Sequence, residues 1–275
     1  MALTVNTNTA AFAAGTQLNA TNRSLQDSFA RLSSGLRISK AADDAAGLGV
    51  AENLEAVSTS ARQAMRNTND GVSVIATAEG ATQETADILK RMRELAVQSS
   101  SETLDDDERA YIQDEYEQLA AEVDRIASVT EFNGVALSDG TNTQIDVQVG
   151  VNGTADDRIT ITLGDLRGTV LGVDTGSLDL SSASGAQSAL SSIDTALDTV
   201  SAYRSDMGAV ENRLDSALNN LETYTTNLEA AESRIRDADF AFETAEMSKL
   251  QIMQQAGVSV LAQAKNINAS AAQLI

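Results

Sequence analysis

A mainly α fold is predicted: a folded-back long helical rod with terminal coiled-coil arms, a helical-bundle body and a small β-hairpin insert. Three observations predict it. No proline interrupts the 275 residues, heptad-spaced stripes lie towards both ends, and apolar spacing changes to simple alternation at one place near the middle. At average usage of about 5%, a chain of this length would hold roughly a dozen prolines. Without them, helices can run unbroken for many turns.

The first arm carries Ala11, Ala14, Leu18, Asn22, Leu25, Phe29, Leu32 and Leu36, spaced alternately by three and four with one polar residue of the kind that fixes register. Gly35 and the cluster Gly47-Leu48-Gly49 bracket a break. Apolar positions then return at Val50, Leu54, Val57, Ala61 and Ala64, again at Ile75 and Ala78, and at Leu89, Met92 and Ala96, predicting a helix over about residues 44–99. Ser99-Ser100-Ser101 ends it. The run from Thr103 to Glu108 offers a cap and an acidic first turn for the next helix, whose stripe is Ile112, Tyr116, Leu119, Val123 and Ile126.

The spacing changes at Phe132-Asn133-Gly134. Ile145, Val147 and Val149 alternate with polar residues before Asn152-Gly153, as do Ile159, Ile161 and Leu163 after it, which predicts a β-hairpin with a loop longer than the tightest turns. Residues 164–188, rich in Gly, Ser, Thr and Asp, read as loop. The stripe that follows runs from Leu190, Ile193, Leu197 and Val200 through Met207, Leu214 and Leu221 to Phe242, and leads into the last arm. That arm carries Leu250, Met253, Gly257, Val260, Ala264, Ile267, Ala271 and Leu274. The economical arrangement is a folded-back rod with the β insert at its far tip. Neither arm buries enough surface alone to offset roughly 1–2 kcal/mol per residue of backbone ordering, so each needs a partner helix. The expected division is residues 1–43 with 236–275 as a coiled-coil domain, and 44–235 as the bundle, with the β insert and its loops over 130–185.

Composition narrows the function. The chain has no cysteine, histidine or tryptophan. It therefore lacks a thiol nucleophile, a soft or imidazole metal ligand and a side chain titrating near neutrality. A carboxylate-only site would have to lie in Asp43-Asp44 or Asp105-Asp106-Asp107-Glu108, and helix starts favour such residues for capping alone. No enzyme activity, catalytic residue, metal or cofactor is expected. The net charge of −21 argues against nucleic acid or an anionic membrane as partner. It is unevenly spread: residues 1–42 carry +3 and residues 244–275 carry +1, leaving −25 on residues 43–243. Charge-poor arms suit dense packing away from water while the acidic body faces solvent. No apolar run reaches the length of about 20 residues needed to span a bilayer. The first residues, MALTVNTNTAAFAA, lack the pattern of a secretory signal.

Several segments resemble the bacterial flagellins. Leu25–Leu54, LQDSFARLSSGLRISKAADDAAGLGVAENL, is similar to their N-terminal signature, and Ser233–Glu243, SRIRDADFAFE, to their C-terminal one. Leu89–Gln98 (LKRMRELAVQ), Glu131–Gly134 (EFNG), and Gln254–Gly257 (QQAG) followed by Val260–Ala264 (VLAQA) also match, in the family's order. The resemblance covers roughly residues 1–140 and 185–275. Gly49, where the family commonly has alanine, and a C-terminal segment without proline depart from it.

The resemblance implies a structural subunit, exported without a cleaved signal peptide through the flagellar type III apparatus. It would polymerise with copies of itself into an extracellular helical filament for motility. The alternative is a hook–filament junction protein. The arms would form the filament core, with assembly contacts at Leu18, Leu25, Phe29 and Leu32 and at Leu250, Met253, Val260, Ala264, Ile267 and Leu274. The same heptads could equally form a seam inside one subunit. Gly35, Arg37, Asp43, Asp44 and Gly47 would mark the spoke joining arm to body, with the glycines allowing it to bend. Arg91, Leu95 and Glu115 match positions by which some flagellins meet the vertebrate flagellin-sensing Toll-like receptor as monomers, on a face that would make axial contacts in the filament. The alternative there is a buried Leu95 beside an ordinary Arg91–Glu115 ion pair. Further implied partners are the flagellar cap and hook-junction proteins and an export chaperone for the C-terminal arm.

Overall fold

The computed structural model describes residues 7–272, with side chains over residues 7–266. Six helices and two small antiparallel strand pairs make up the described chain. In order they are α1 (Thr9–Ser34), α2 (Ala45–Ser99), α3 (Asp106–Val129), β1 (Glu131–Phe132), β2 (Val135–Ala136), β3 (Gln144–Gln148), β4 (Arg158–Thr162), α4 (Gly168–Leu171), α5 (Ala183–Arg236) and α6 (Phe240–Ala272). The chain divides into two compact units. One holds the residues up to Ser58 and those from Thr226 on, and the other holds Thr59–Thr225.

Helix ends follow local chemistry. Asn8 caps α1 through its side-chain oxygen, which accepts from the Ala11 N–H, and Gly35 ends the helix at φ 73°, the left-handed conformation that glycine takes at least cost. Asp105 and Glu108 form a reciprocal capping box at the start of α3. Asp44 caps α2 by accepting from the N–H groups of Ala46 and Gly47 at 3.1 and 2.9 Å. The two acidic clusters are therefore occupied at helix starts.

In the second unit, α2 and α5 pack antiparallel. One cluster joins Leu89, Met92, Leu95 and Ala96 of α2 to Ile112, Tyr116 and Val123 of α3 and to Ala189, Ile193 and Val200 of α5. The Tyr116 hydroxyl donates to the Val173 carbonyl at 3.0 Å, and burial followed by the charge of Asp174 pushes its pKa above the ordinary phenol range. A second cluster brings Val74, Ile75 and Ala78 against Met207 and Leu214, and a third pairs Ala61 and Ala64 with Leu221.

The predicted hairpin is β3 paired with β4, Ile145 opposite Ile161 and Val147 opposite Ile159. Its place differs from the expected far tip. Val147, Ile159 and Ile161 belong to the middle cluster, and Val147 lies against Gly71 of α2. The hairpin's buried face is apolar and needs a long helical surface to cover it, which the end of a bundle does not offer. A Cβ at Gly71 would stand 3.0 and 3.2 Å from the two methyls of Val147 and 3.4 Å from Leu214 Cδ1. Gly71→Leu is expected to lower unfolding free energy in urea by about 1–3 kcal/mol through overpacking. It should do so although leucine favours the helix by up to about 1 kcal/mol. Unchanged or raised stability would contradict this packing.

Two further departures concern residues 130–188. Asn133 at φ 50° and Gly134 at φ 77° make a tight turn that pairs β1 with β2, an additional ribbon where only a change of spacing was expected. Residues 164–188 are not all loop: α4 lies within them, and α5 begins at Ala183, where Ser182 Oγ accepts from the Gly185 N–H at 3.1 Å. Leu166, Leu171, Val173 and Leu180 of this stretch are buried in the first cluster.

Candidate assembly surface

In the unit containing the arms, α1 and α6 run antiparallel. Asn8 Nδ2 donates to the Ala264 carbonyl at 2.8 Å, Gln254 Nε2 donates to Asn22 Oδ1 at 2.7 Å, and Ser28 Oγ donates to Glu243 Oε1. Leu36 and Asp237 form an antiparallel bridge beyond the helix ends. Close approach is allowed at Gly257, where an added Cβ would stand 3.2 Å from Leu18 Cδ1.

The seam is polar and small. Thr21 and Ser28 are buried on α1, as are Glu243, Leu250 and Ala264 on α6, while Leu18, Leu25, Leu32 and Gly257 are half-buried. Thr21 satisfies its hydroxyl within its own helix by donating to the Gln17 carbonyl at 3.0 Å. These positions divide the residues expected at the assembly contact. Leu18, Leu25, Leu32, Leu250 and Ala264 lie in or beside the intramolecular seam. Phe29, Met253 and Val260 stand outside it, with 65%, 39% and 58% of their surface exposed. Ile267 and Leu274 lie outside the residues whose side chains are described.

The cause is a choice between two equally regular spacings. Leu18, Asn22, Leu25, Phe29, Leu32 is one alternation of four and three, and Leu18, Thr21, Leu25, Ser28, Leu32 is the other. The pair turns the second inward, because small side chains let the helices approach while Ser28 meets the carboxylate opposite. On α6 the inward positions are Glu243, Met247, Leu250, Gln254, Gly257, Leu261 and Ala264. The leucines belong to both stripes, so the apolar stripe remains as a flank. One groove on the pair is lined by Leu25, Phe29, Ala30 and Met247, and another by Leu18, Met253, Ala256 and Val260.

Thr21, Ser28, Glu243 and Gln254, which lie in this seam, are not among the expected contact residues. The available signal was Glu243, a carboxylate after which residues 244–275 carry only Glu246, Lys249 and Lys265 as charges.

The spoke residues are brought together, but the segment is braced. The Arg37 N–H donates to the Arg236 carbonyl at 2.7 Å, Arg37 Nη2 donates to the Ile235 carbonyl at 2.6 Å, and the Ala238 N–H donates to the Gly35 carbonyl at 2.9 Å. Asp43 accepts from the N–H groups of Ser39 and Lys40 at 3.2 and 3.0 Å, and these backbone bonds hold its pKa below the usual carboxylate value. Arg31 stands 3.8 Å from Asp43. Gly47, expected to permit bending, is instead in the first turn of α2, where a Cβ would collide with the Asp44 carboxylate and stand 3.0 Å from the buried Ile38.

Arg91 reaches Glu115 at 2.8 Å and Glu94 at 2.9 Å, all on exposed surface. Leu95 departs from its expected surface role. It is 1% exposed within the first core cluster, because its neighbours Met92, Ile112 and Tyr116 close over it.

The family model described as the bacterial flagellin N-terminal helical region matches residues 5–143, and that of the bacterial flagellin C-terminal helical region matches residues 190–275. A flagellin of Halalkalibacterium halodurans is 41% identical over 252 residues, covering 91% of each chain. A flagellar filament 33 kDa core protein of Treponema phagedenis is 38% identical over 285 residues, covering 98% of this chain and 99% of its own. The solved flagellin of Bacillus cereus is 34% identical, covering 61% of this chain and 94% of that one at a TM-score of 0.49. With both helical regions matched and relatives aligned nearly end to end, the chain belongs to the bacterial flagellin family, a family of structural proteins and not of enzymes.

Proposed function

We propose that this chain is the structural subunit of a bacterial flagellar filament and assembles with copies of itself through its two arms. The observation that carries the reading is the apolar surface left over when α1 and α6 pair. Phe12, Phe29, Phe240, Phe242, Ile252, Val258 and Val260 are all more than half exposed, a density of bare aromatic and branched side chains that marks a surface made to be covered. Relatives named as filament core proteins favour the filament over the hook–filament junction.

In this reading the arms, over 1–43 and 236–275, form the filament core. Phe29, Met253 and Val260 meet neighbouring subunits, with the leucines shared between both seams behind them. Gly35, Arg37, Asp43, Asp44 and Gly47 form a braced spoke at the ends of the arms. The exposed Arg91–Glu115 pair is an axial contact in the filament, and on the free monomer it is the point at which a vertebrate flagellin-sensing receptor would touch. Export proceeds without a cleaved signal, with a chaperone covering the C-terminal arm. Assembly takes place outside the cell against cap and hook-junction proteins. Among the described residues, no helix is long and apolar enough to cross a membrane.

Charge supplies a test. Residues 43–243 carry −25, and repulsion between neighbouring bodies is screened over a Debye length of about 8–10 Å near physiological salt. Light scattering of purified chain seeded with sheared filaments is expected to show growth that accelerates as salt is raised from low ionic strength. Growth fastest at the lowest salt would contradict assembly through charge-poor arms between acidic bodies.

A further inference from the structure

Two steps of the chain join asparagine to glycine, Asn133-Gly134 and Asn152-Gly153, and the fold holds them differently. At such a step the glycine nitrogen can attack the asparagine Cγ. The new C–N bond forms as the bond to the side-chain nitrogen breaks, and ammonia leaves. Water then opens the succinimide to aspartate or isoaspartate. The balance is one water consumed and one ammonia released, with no oxidation. Ring closure needs the glycine nitrogen turned toward Cβ, and it needs that nitrogen to give up its proton.

Asn133 does not meet the first condition. Its φ of 50°, followed by 77° at Gly134, belongs to the tight turn fixed by the pairing of Phe132 with Val135. In this left-handed region ψ is roughly +45°, which points the next nitrogen away from Cβ. Opening the ring-closing rotamer would break the ribbon.

Asn152 lies in the connection over residues 149–157 between β3 and β4, with an exposed side chain and without a left-handed φ. Its carbonyl oxygen accepts from Gln148 Nε2 at 2.6 Å. That oxygen and the Gly153 nitrogen belong to the same amide. When the nitrogen loses its proton, the charge is shared with the oxygen, where the Gln148 donor stabilises it. Gln148 is itself oriented: Nε2 also donates to the Gly150 carbonyl at 3.0 Å, and Arg158 Nε donates to its Oε1 at 3.2 Å.

We propose that Asn152 is a self-modification site, converting to aspartate or isoaspartate through a Gly153 succinimide promoted by Gln148, while Asn133 is protected by its turn. The product adds a carboxylate beside Asp156 and Asp157 on the exposed loop of the hairpin.

The test is peptide mapping by mass spectrometry, with an isoaspartate-specific methylation assay, on full-length chain aged at mildly alkaline pH. In the folded chain Asn152 is expected to convert about tenfold or more faster than Asn133, the decade in rate that one hydrogen-bonded turn can supply. In urea the two should convert at similar rates, since both precede glycine. Gln148→Leu should slow Asn152 and leave Asn133 unchanged. Equal rates in the folded chain, a faster Asn133, or a Gln148→Leu chain with undiminished conversion at Asn152 would overturn the proposal.

Discussion

Val260→Asp is expected to abolish filament growth while leaving the monomer's helical content and unfolding midpoint nearly unchanged. Val260 is 58% exposed and lies on the flank of the α1/α6 pair, lining a groove with Met253 and Leu18. Valine and aspartate differ little in helix propensity, and surface changes away from caps and cores usually stay within about 0.5 kcal/mol. If neighbouring subunits cover this flank, each contact would bury an unpaired carboxylate, at a cost of several kcal/mol per ion. That cost recurs at every subunit, so growth should cease. Sedimentation after seeding reads the first effect, and circular dichroism during heating reads the second. Normal sedimentation, or an unfolded monomer, would remove Val260 from the intersubunit contact.

Arg109→Ala is expected to damage the second unit strongly, lowering unfolding free energy by about 3 kcal/mol. Arg109 is 7% exposed. Its guanidinium donates to the carbonyls of Ser99 at 3.1 Å, Leu104 at 2.8 Å and Ser101 at 2.6 Å. Those oxygens belong to the end of α2 and the turn that follows, where a helix leaves its last carbonyls without partners and favours a positive charge. Alanine would leave the buried Ser99 acceptor and the part-buried acceptors of Ser101 and Leu104 without their donor. Arg109→Lys should recover only part of the loss, because a point ammonium cannot reach three divergent carbonyls as a planar fork does. Urea unfolding of the monomer at fixed concentration measures both. A change within about 0.5 kcal/mol would show that water replaces the guanidinium at no cost.

Much of the helical plan was legible because helix ends are written in local chemistry. Gly35, the serines at 99–101 and the Asp105–Glu108 box each place a boundary through the backbone groups they satisfy. The start of α5 was hidden, since Ser182-Ala183-Ser184-Gly185 has the composition of a loop and is committed to helix only by the burial of Ala186 and Ala189. The β1–β2 ribbon is two residues on each side, too short for alternation to register. Where the hairpin lies depended on Gly71 and Val147, far apart in the chain.

At the assembly surface, the stripe was legible but not its direction. Periodicity identifies Leu18, Leu25 and Leu32, which belong to either spacing. It cannot say that the small polar set turns inward and leaves Phe29 bare, because that depends on Ser28 finding Glu243 across the pair. Leu95 illustrates the converse. One turn from an exposed arginine, it still falls within the core once α3 is laid against α2.

Whether the paired arms drive polymerisation is decided by electron microscopy of seeded growth. Purified full-length chain and a chain ending at Asp239, which lacks α6, would each be offered sheared filaments as seed. Long filaments are expected from the full chain and none from the shortened one. Filaments of ordinary length from the chain ending at Asp239 would show that polymerisation does not need α6.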